Sequence, residues 1–147
     1  EQTPGVAKVA VDLLHAAGLG NYEVSNWARP GHESQHNRLY WMQDDYLGFG
    51  SAAHSHRDGR RWWNVRTPER YIAAVQAGES TEAAGETLDA ATRRIEGLQL
   101  ALRTREGVPA DAIDTHDLDD LVEHVDDRVR LTRRGRLLAN EVSLRLR

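Results

Sequence analysis

The chain has 147 residues, of which 39% are apolar, and a formal net charge of −4. A chain of this length buries one moderate core or two small ones, and no apolar run approaches the ~20 residues of a membrane span. It contains no cysteine, which excludes disulfides and is compatible with a cytoplasmic location.

The first section of the chain predicts a helix followed by a strand. Thr3 is a favourable helix cap before Pro4, and apolar residues then recur at helical spacing until Gly18. Residues 22–26 alternate in polarity as in a short strand, and residues 39–42 are compatible with one helical turn. A helix joined to a strand by a short link is typical of an α/β repeat.

The middle section is marked by its composition, because every aromatic residue lies between Tyr22 and Tyr71. We therefore predict one domain over residues 1–66 and another over residues 67–147. The elements expected in the middle section are a strand over 46–53, a turn at Asp58-Gly59, a returning strand over 61–65, a helix between Pro68 and Gly78, and a linker over 79–86.

The last section has to build its core from aliphatic residues. Apolar residues over 88–102 step by three and four, which predicts the strongest helix of the chain. Short helices over 109–113 and 118–125, a strand over 129–131 and a last helix capped by Thr132 are expected to follow. This order predicts a small, mainly helical domain that is winged-helix-like.

Charge is unevenly distributed in this last section. Residues 106–127 carry acidic side chains and neither Lys nor Arg, whereas residues 128–147 carry seven arginines and a single acid, Glu141. Ion pairing between neighbouring elements is one interpretation, and a nucleic-acid-binding winged helix is the other. The acidic stretch would repel phosphate and no aromatic is available to stack on bases, so we expect no nucleic-acid partner.

The densest group of ligand-binding side chains is the run from His36 to Trp41. It combines an imidazole, the Asn37 amide and the rings of Tyr40 and Trp41. A neutral imidazole ligates haem iron, and aromatic rings stack on a porphyrin. From the residues alone, a loop histidine beside a structural Tyr-Trp pair remains open, as does a second ligand or a polar loop residue at His32.

The sequences around this run resemble a known family. Together with the flanking residues 22–33 and 45–55, it is similar to the HemW branch of the oxygen-independent coproporphyrinogen III oxidase family, radical S-adenosylmethionine proteins of haem metabolism. The pattern His-Asn-x-x-Tyr-Trp separates this haem-binding, chaperone-like branch from the true oxidases. Further similar segments occur in the same order over 61–65, 67–71, 94–98, 102–108 and 131–142.

The resemblance implies two sets of site residues. The first would contact haem, with His36 as the ligand of the iron: His36, Asn37, Tyr40 and Trp41. The second would line an S-adenosylmethionine pocket, although tight packing of small residues explains it equally well: Gly48, Gly50, Ala53 and His54. Four arginines could hold porphyrin propionates or be ordinary surface residues: Arg29, Arg57, Arg60 and Arg61.

Other candidate groups are weaker. His54 and His56 share a strand face but have no third metal ligand nearby in sequence, so we expect no dedicated metal site. Glu23 and Glu33 are possible acids or bases, and the sequence provides no evident partner for either.

One departure from the family is decisive for chemistry. The family holds a 4Fe-4S cluster on a Cys-x3-Cys-x2-Cys motif, and this chain has no cysteine. We therefore interpret the chain as a C-terminal fragment that is inactive by itself, from a parent that binds S-adenosylmethionine and the cluster. Whether the parent is an enzyme stays open.

The predicted fold class is α+β. It consists of the last α/β repeat and edge of an incomplete radical-SAM barrel, followed by the winged-helix-like domain. The predicted function is that of a haem chaperone with haem or porphyrin and a haem-accepting protein as partners. The alternatives are oxidative decarboxylation of coproporphyrinogen III and nucleic-acid binding.

Overall fold

The computed structural model describes residues 3–145 of the chain. The helices are α1 (Thr3–Ala16), α2 (Gln35–Trp41), α3 (Pro68–Ala77), α4 (Ala90–Ala101), α5 (Arg133–Leu137) and α6 (Ala139–Arg145). The strands are β1 (Gly20–Glu23), β2 (Asn26–Ala28), β3 (His54–Arg57), β4 (Arg60–Asn64), β5 (Glu82–Thr87), β6 (Val108–Pro109), β7 (Val122–Val125) and β8 (Arg128–Leu131). Two 3-10 turns lie at Ala110–Ala112 and Asp119–Leu121.

The contacts divide the chain into two compact units. Unit 1 comprises residues 1–38 and 98–147, and unit 2 comprises residues 39–97. Helices α2 and α4 each continue from one unit into the other. The division predicted between residues 66 and 67 concerns the domains of a longer parent and stays a prediction.

Unit 1 contains a three-stranded antiparallel sheet in the order β6-β8-β7, and the hairpin β1-β2. An isolated bridge between Glu23 and Thr104 links the hairpin to the segment after α4. The aliphatic stripe of α4 and the inward residues of β8 meet in one core, against which Val24 also packs. The buried members of this core are Leu102, Val108, Leu118, Leu121, Val122, Val129, Leu131, Ala139 and Val142.

Unit 2 contains a second antiparallel sheet, in the order β3-β4-β5. The hairpin β3-β4 turns at Asp58 and Gly59, whose φ angles of 51° and 79° belong to the turn type that matches strand twist. Strand β5 lies at the outer side of this sheet, and all six of its residues are exposed.

Several predicted elements are confirmed. Helix α1 covers the expected residues, and α3 begins at Pro68 and ends at Gly78, which adopts φ 69°. Strand β8 follows the predicted alternation. The hydroxyl of Thr132 accepts a hydrogen bond from the Gly135 amide at 3.0 Å and caps α5. The last helix is interrupted, because Leu138 separates α5 from α6.

Four predicted elements are wrong. Residues 22–26 form a hairpin, because the Glu23 carboxylate accepts from the Ser25 amide at 3.2 Å and closes a turn. Residues 46–53 form a loop, since Gly50 and Ala52 have φ angles of 100° and 59° that a strand cannot accommodate. The predicted linker contains β5, which pairs with β4. The helix expected over 118–125 is a 3-10 turn followed by β7.

The described residues thus form a mixed α and β structure. Within them, none of the helices combines the length and the apolar character needed to cross a membrane.

Candidate functional site

Helix α2 contains all four predicted haem-binding residues. It begins after Ser34, whose hydroxyl accepts a hydrogen bond from the Asn37 amide at 3.3 Å. It ends where Gln43 adopts φ 53° and the Asp44 amide donates to the Leu39 carbonyl at 2.9 Å. The one helical turn predicted over residues 39–42 is therefore the end of a longer helix of seven residues.

The four predicted side chains occupy two adjacent rows of this helix. His36 and Tyr40 are four residues apart, as are Asn37 and Trp41, and residues with that spacing lie above one another on a helix. His36 and Tyr40 are exposed, whereas Asn37 and Trp41 are half-buried. The helix therefore presents an imidazole and a phenol on one accessible row, with an indole beside them.

Within unit 2, Tyr40 belongs to a line of rings. Its ring centroid lies 4.4 Å from that of Tyr46 in an edge-to-face arrangement, and Tyr46 stacks on His56 at 6.1 Å. Burial raises the pKa of the Tyr46 phenol, Tyr40 raises it further, and the Arg61 cation lowers it. The phenol of Tyr46 therefore stays neutral over the physiological range, and its role here is to support Tyr40.

The loop from Gly48 to Ala53 is held by one buried side chain. Asn64 Nδ2 donates to the carbonyl oxygens of Gly48 at 3.3 Å and Gly50 at 2.9 Å. Its Oδ1 accepts from the Thr81 hydroxyl at 3.0 Å, so both ends of the amide are used. Asn64 is not among the residues predicted for the site, although it is a polar residue near the end of a predicted strand and was therefore a recognisable candidate.

Glycine is required at the start of this loop. A Cβ atom at Gly48 would lie 2.1 Å from the carbonyl oxygen of His54, far inside contact distance. The Gly48 amide also donates to the Ser55 hydroxyl at 2.9 Å. These contacts favour the structural interpretation for Gly48 itself.

A cavity of about 210 Å³ adjoins the end of the loop. His54 contributes to it and is exposed, with its ring 5.7 Å from that of Trp63. The other lining residues are Ala52, Trp63, Asn64 and Arg66. Of the four residues predicted for the S-adenosylmethionine pocket, only His54 lines this cavity, so the structure does not gather all four around one space.

The two histidines of the possible metal clip have different environments. His54 is exposed, whereas His56 is buried and its Nδ1 lies 3.1 Å from the Asp44 carbonyl oxygen. The Asp45 carboxylate is 3.9 Å from the same nitrogen. Among the residues that the structure describes, no group of three or more histidines and acids is arranged to hold a metal ion.

The candidate acids both have structural partners. Glu33 is buried and accepts a hydrogen bond from the Arg105 guanidinium at 2.8 Å. Its own backbone amide and the Arg105 guanidinium lower the pKa of Glu33 against the opposing effect of burial. Glu23 is buried and accepts from the Ser25 amide and the Asn26 side chain. These carboxylates stabilise turns and loops and are not placed as proton donors.

The candidate arginines divide into two pairs. Arg60 contacts Glu82 at 2.6 Å, and Arg61 contacts Glu86 at 2.7 Å, which raises the pKa of Arg61. Arg60 and Arg61 therefore form ion pairs within unit 2. Arg29 and Arg57 are exposed.

The charges of the last section pair with one another. Arg130 lies 3.8 Å from Glu123, and Arg134 contacts Asp120. Both pairs join the basic residues after 128 to the acidic stretch before it, as the ion-pairing interpretation predicts.

Comparison with known proteins relates the chain to heme chaperones of several bacteria. No model of a protein family matches the chain. Heme chaperone HemW of Mycobacterium tuberculosis is 41% identical over 138 residues, which cover 88% of this chain and 35% of that protein. Heme chaperone HemW of Bacillus subtilis is 32% identical over 160 residues, which cover 97% of this chain and 42% of that protein.

A vertebrate protein is also similar. The mitochondrial radical S-adenosyl methionine domain-containing protein 1 of Danio rerio is 34% identical over 116 residues, covering 74% of this chain and 26% of that protein. The chain thus spans less than half the length of each of these relatives.

Among solved structures, coproporphyrinogen III oxidase (HemN) of Escherichia coli, a radical SAM enzyme, has a similar fold. The TM-score is 0.69 at 17% identity, over 99% of this chain and 41% of that one. The chain therefore shares the fold of part of that enzyme.

Proposed function

Because the chain belongs to the family of HemW-like radical S-adenosylmethionine proteins, we propose that the whole protein binds haem and delivers it to an acceptor protein. The observation that carries this proposal is the run His36–Trp41, which lies on a single helix in a chain similar to heme chaperones from several bacteria.

Helix α2 is the proposed haem contact. His36 and Tyr40 are separated by four residues, which is a rise of about 6 Å along a helix axis. An imidazole nitrogen of His36 is suited to ligate the iron, while the rings of Tyr40 and Trp41 offer flat apolar surface to the macrocycle. Asn37 supplies an amide for a polar substituent.

Exposed apolar side chains after α2 support this proposal. Met42, Leu47 and Phe49 follow the helix in unit 2, and Phe49 is 84% exposed. Exposed large apolar residues within one short segment are compatible with ligand or partner contacts. A mostly apolar macrocycle is a suitable ligand for such a surface.

The radical chemistry of the family needs groups that this chain does not contain. With no cysteine it offers no thiolate for a 4Fe-4S cluster, and no step through that cluster is assigned to its residues. We propose that the loop Gly48–Ala53 and His54 contribute one side of an S-adenosylmethionine pocket in the whole protein, as the cavity beside Ala52 and His54 suggests.

The remaining parts of the proposal concern the organisation and the location of the whole protein. They comprise the division into 1–66 and 67–147, a winged-helix-like arrangement of the second part, and a cytoplasmic location. The similarity in fold to an oxidase does not support an oxidase activity. The arginines of the last section that pair with acidic residues do not support nucleic-acid binding.

Titration with haem, followed by the Soret absorbance of the whole protein, tests the proposal. His36→Ala should weaken haem binding at least tenfold, because a directed iron–nitrogen bond is lost. Trp41→Ala should weaken it less, by about fivefold, the effect of ~1 kcal/mol for one stacked ring. Gln35→Ala, on an exposed neighbour in the same helix, is the matched control. Unchanged affinity in His36→Ala would show that the run is structural.

A further inference from the structure

Unit 1 has its own pocket, which none of the α2 residues lines. It lies between α1, the hairpin β1-β2 and α5, and its volume is about 70 Å³. Since one water occupies about 10–15 Å³ on this scale, the pocket has room for roughly five to seven atoms other than hydrogen.

The charged groups around the pocket are basic. Lys8, His15, Arg133 and Arg136 line it, and none of the acidic residues that the structure describes does. Arg133 is already paired, because it donates to the Asp12 carboxylate at 3.2 Å. The pocket therefore carries a net positive charge that its own walls do not neutralise.

Arg136 is the cation best placed to receive an anion. It is half-buried, and its side chain has no ion-pair partner among the residues that the structure describes. Burial lowers the pKa of Arg136, the Glu123 carboxylate raises it, and Arg130 and Arg133 lower it. A partly desolvated guanidinium with like charges nearby is stabilised by an anion.

Trp27 supplies an independent sign of a ligand. Its indole Nε1 is buried and has no hydrogen-bond partner in the described part of the chain, although a buried indole N–H is usually paired. Trp27 also lines the pocket. The neighbouring Asn21 amide is occupied, because it donates to the Asn26 carbonyl at 3.2 Å.

The remaining walls are apolar. Val11, Val24 and Leu137 line the pocket together with the face of Trp27. Apolar walls do not suit a fully hydrated inorganic anion, but they suit a short hydrocarbon chain that ends in a charged oxygen group.

We propose that this pocket binds a short-chain organic carboxylate, of propionate size. The carboxylate accepts from the Arg136 guanidinium and the Trp27 indole, and its alkyl chain contacts Val11 and Val24. The same chemical group occurs in free short-chain acids and as the side chain of tetrapyrroles, so both sources are compatible with the pocket. The proposal does not depend on haem binding at α2.

The indole N–H signals of the chain in a ¹H–¹⁵N NMR spectrum provide the test. The chain has four tryptophans, and Trp27→Phe identifies the signal of Trp27. Titration with propionate should shift the Trp27 signal in a saturable manner and leave the other three in place. Propionamide, which has the same shape without the charge, should cause no saturable shift.

Two matched variants of α5 complete the test. Arg136→Gln should weaken propionate binding at least tenfold, whereas Arg134→Gln, an exposed residue paired with Asp120, should leave it unchanged. The backbone amide signals of Val129 and Val142, in the core of unit 1, verify folding of that unit in each variant. A Trp27 signal that stays in place, or that responds equally in Arg136→Gln, would overturn the proposal.

A second arm distinguishes the sources of the carboxylate. Metal-free protoporphyrin is compared with its dimethyl ester, in which both propionates are blocked. A Trp27 shift with the acid but not with the ester supports a tetrapyrrole side chain. A shift with propionate alone supports a free acid, and no Trp27 shift with propionate or with the porphyrin acid overturns the proposal.

Discussion

The two units differ in their buried side chains, because among the described residues only unit 1 buries apolar ones, in addition to the polar Glu23, Glu33 and Ser143. The core of unit 1 is aliphatic, and Leu102, Val129 and Val142 are at most 1% exposed. In the described part of unit 2, the buried side chains are polar, namely Ser55, His56 and Asn64. The hydrophobic effect that stabilises unit 1 is non-directional. In unit 2, directed hydrogen bonds fix the shape of the Gly48–Ala53 loop.

This difference predicts different sensitivities to mutation. A hydrogen bond replaces one made with water and contributes little net stability, but a buried polar group left without its partner is costly. Unit 1 should therefore respond to the loss of volume, and unit 2 to the loss of particular donors and acceptors.

The largest effect is expected from Leu102→Ala in the core of unit 1. Leu102 is 1% exposed, and removing a buried leucine side chain costs about 2–5 kcal/mol of unfolding free energy. Urea unfolding followed by far-ultraviolet circular dichroism measures it. Leu13→Ala, at a leucine that is 66% exposed, is the control and should change stability by less than about 0.5 kcal/mol. Equal effects of the two substitutions would contradict an aliphatic core in unit 1.

Asn64→Ala should have the next largest effect, and it should be confined to unit 2. The substitution leaves the carbonyls of Gly48 and Gly50 and the Thr81 hydroxyl without this partner, which costs about 1–3 kcal/mol. Hydrogen exchange should accelerate at the Ala52 and Ala53 amides.

Gln76→Ala, at an exposed position of α3, provides the control for Asn64→Ala. If exchange in the loop is as slow in Asn64→Ala as in the unchanged chain, the amide does not hold the loop.

Glu33 should give unit 1 a smaller, pH-dependent contribution. Because the folded-state pKa of Glu33 is lowered from its ordinary 4.5, its ionised form stabilises the unit above that value. The contribution is lost as the pH falls through the lower, folded-state pKa. In urea unfolding between pH 6 and pH 3, Glu33→Gln should flatten the acid-side decline, whereas Glu141→Gln, at an exposed acid, should not. A decline that is unchanged in Glu33→Gln would refute the pairing with Arg105.

The smallest effect is expected from Arg60→Gln. Arg60 pairs with Glu82 at 2.6 Å and lies 5.1 Å from the centre of the Trp62 ring, but it is largely exposed. Exposed pairs of this kind contribute at most about 1 kcal/mol and are screened by salt. A double-mutant cycle with Glu82→Gln at two salt concentrations measures the coupling, and coupling that persists in 1 M salt would contradict a screened surface pair. Arg57→Gln, at an exposed arginine of the same sheet, is the control and should show no coupling to Glu82→Gln.

Local signals in the sequence predicted the elements that depend on neighbouring residues. The turn at Asp58-Gly59, the helix stop at Gly78 and the cap at Thr132 each involve residues within three positions of one another. The run on α2 was also visible, since its side chains are close in sequence. Their proposed roles as haem contacts stay predictions.

The features that the sequence did not reveal depend on distant partners. Asn64 holds carbonyls that are 14 and 16 residues away, and Arg105 pairs with Glu33 across 72 residues. Strand β5 has no apolar alternation, because none of its residues is buried, and its pairing with β4 alone defines it. The sequence of such a segment does not indicate which strand it pairs with.

The aliphatic residues of segment 88–147 predict that this segment folds by itself. The structure adds that the Arg105 amide donates to the Tyr22 carbonyl at 3.1 Å and that Val24 packs against the same core. A segment without the hairpin β1-β2 would lack both contacts.

The position of β5 also affects how one molecule behaves beside another. In the described sheet it pairs on one side only, with β4, and an unpaired strand edge is a template for association. Its central residues Ala83, Ala84 and Gly85 are small and uncharged, and Glu82 and Glu86 stand on either side of them. A second chain docking here would have to desolvate both carboxylates and the arginines paired with them, so we expect these glutamates to disfavour self-assembly in concentrated solution.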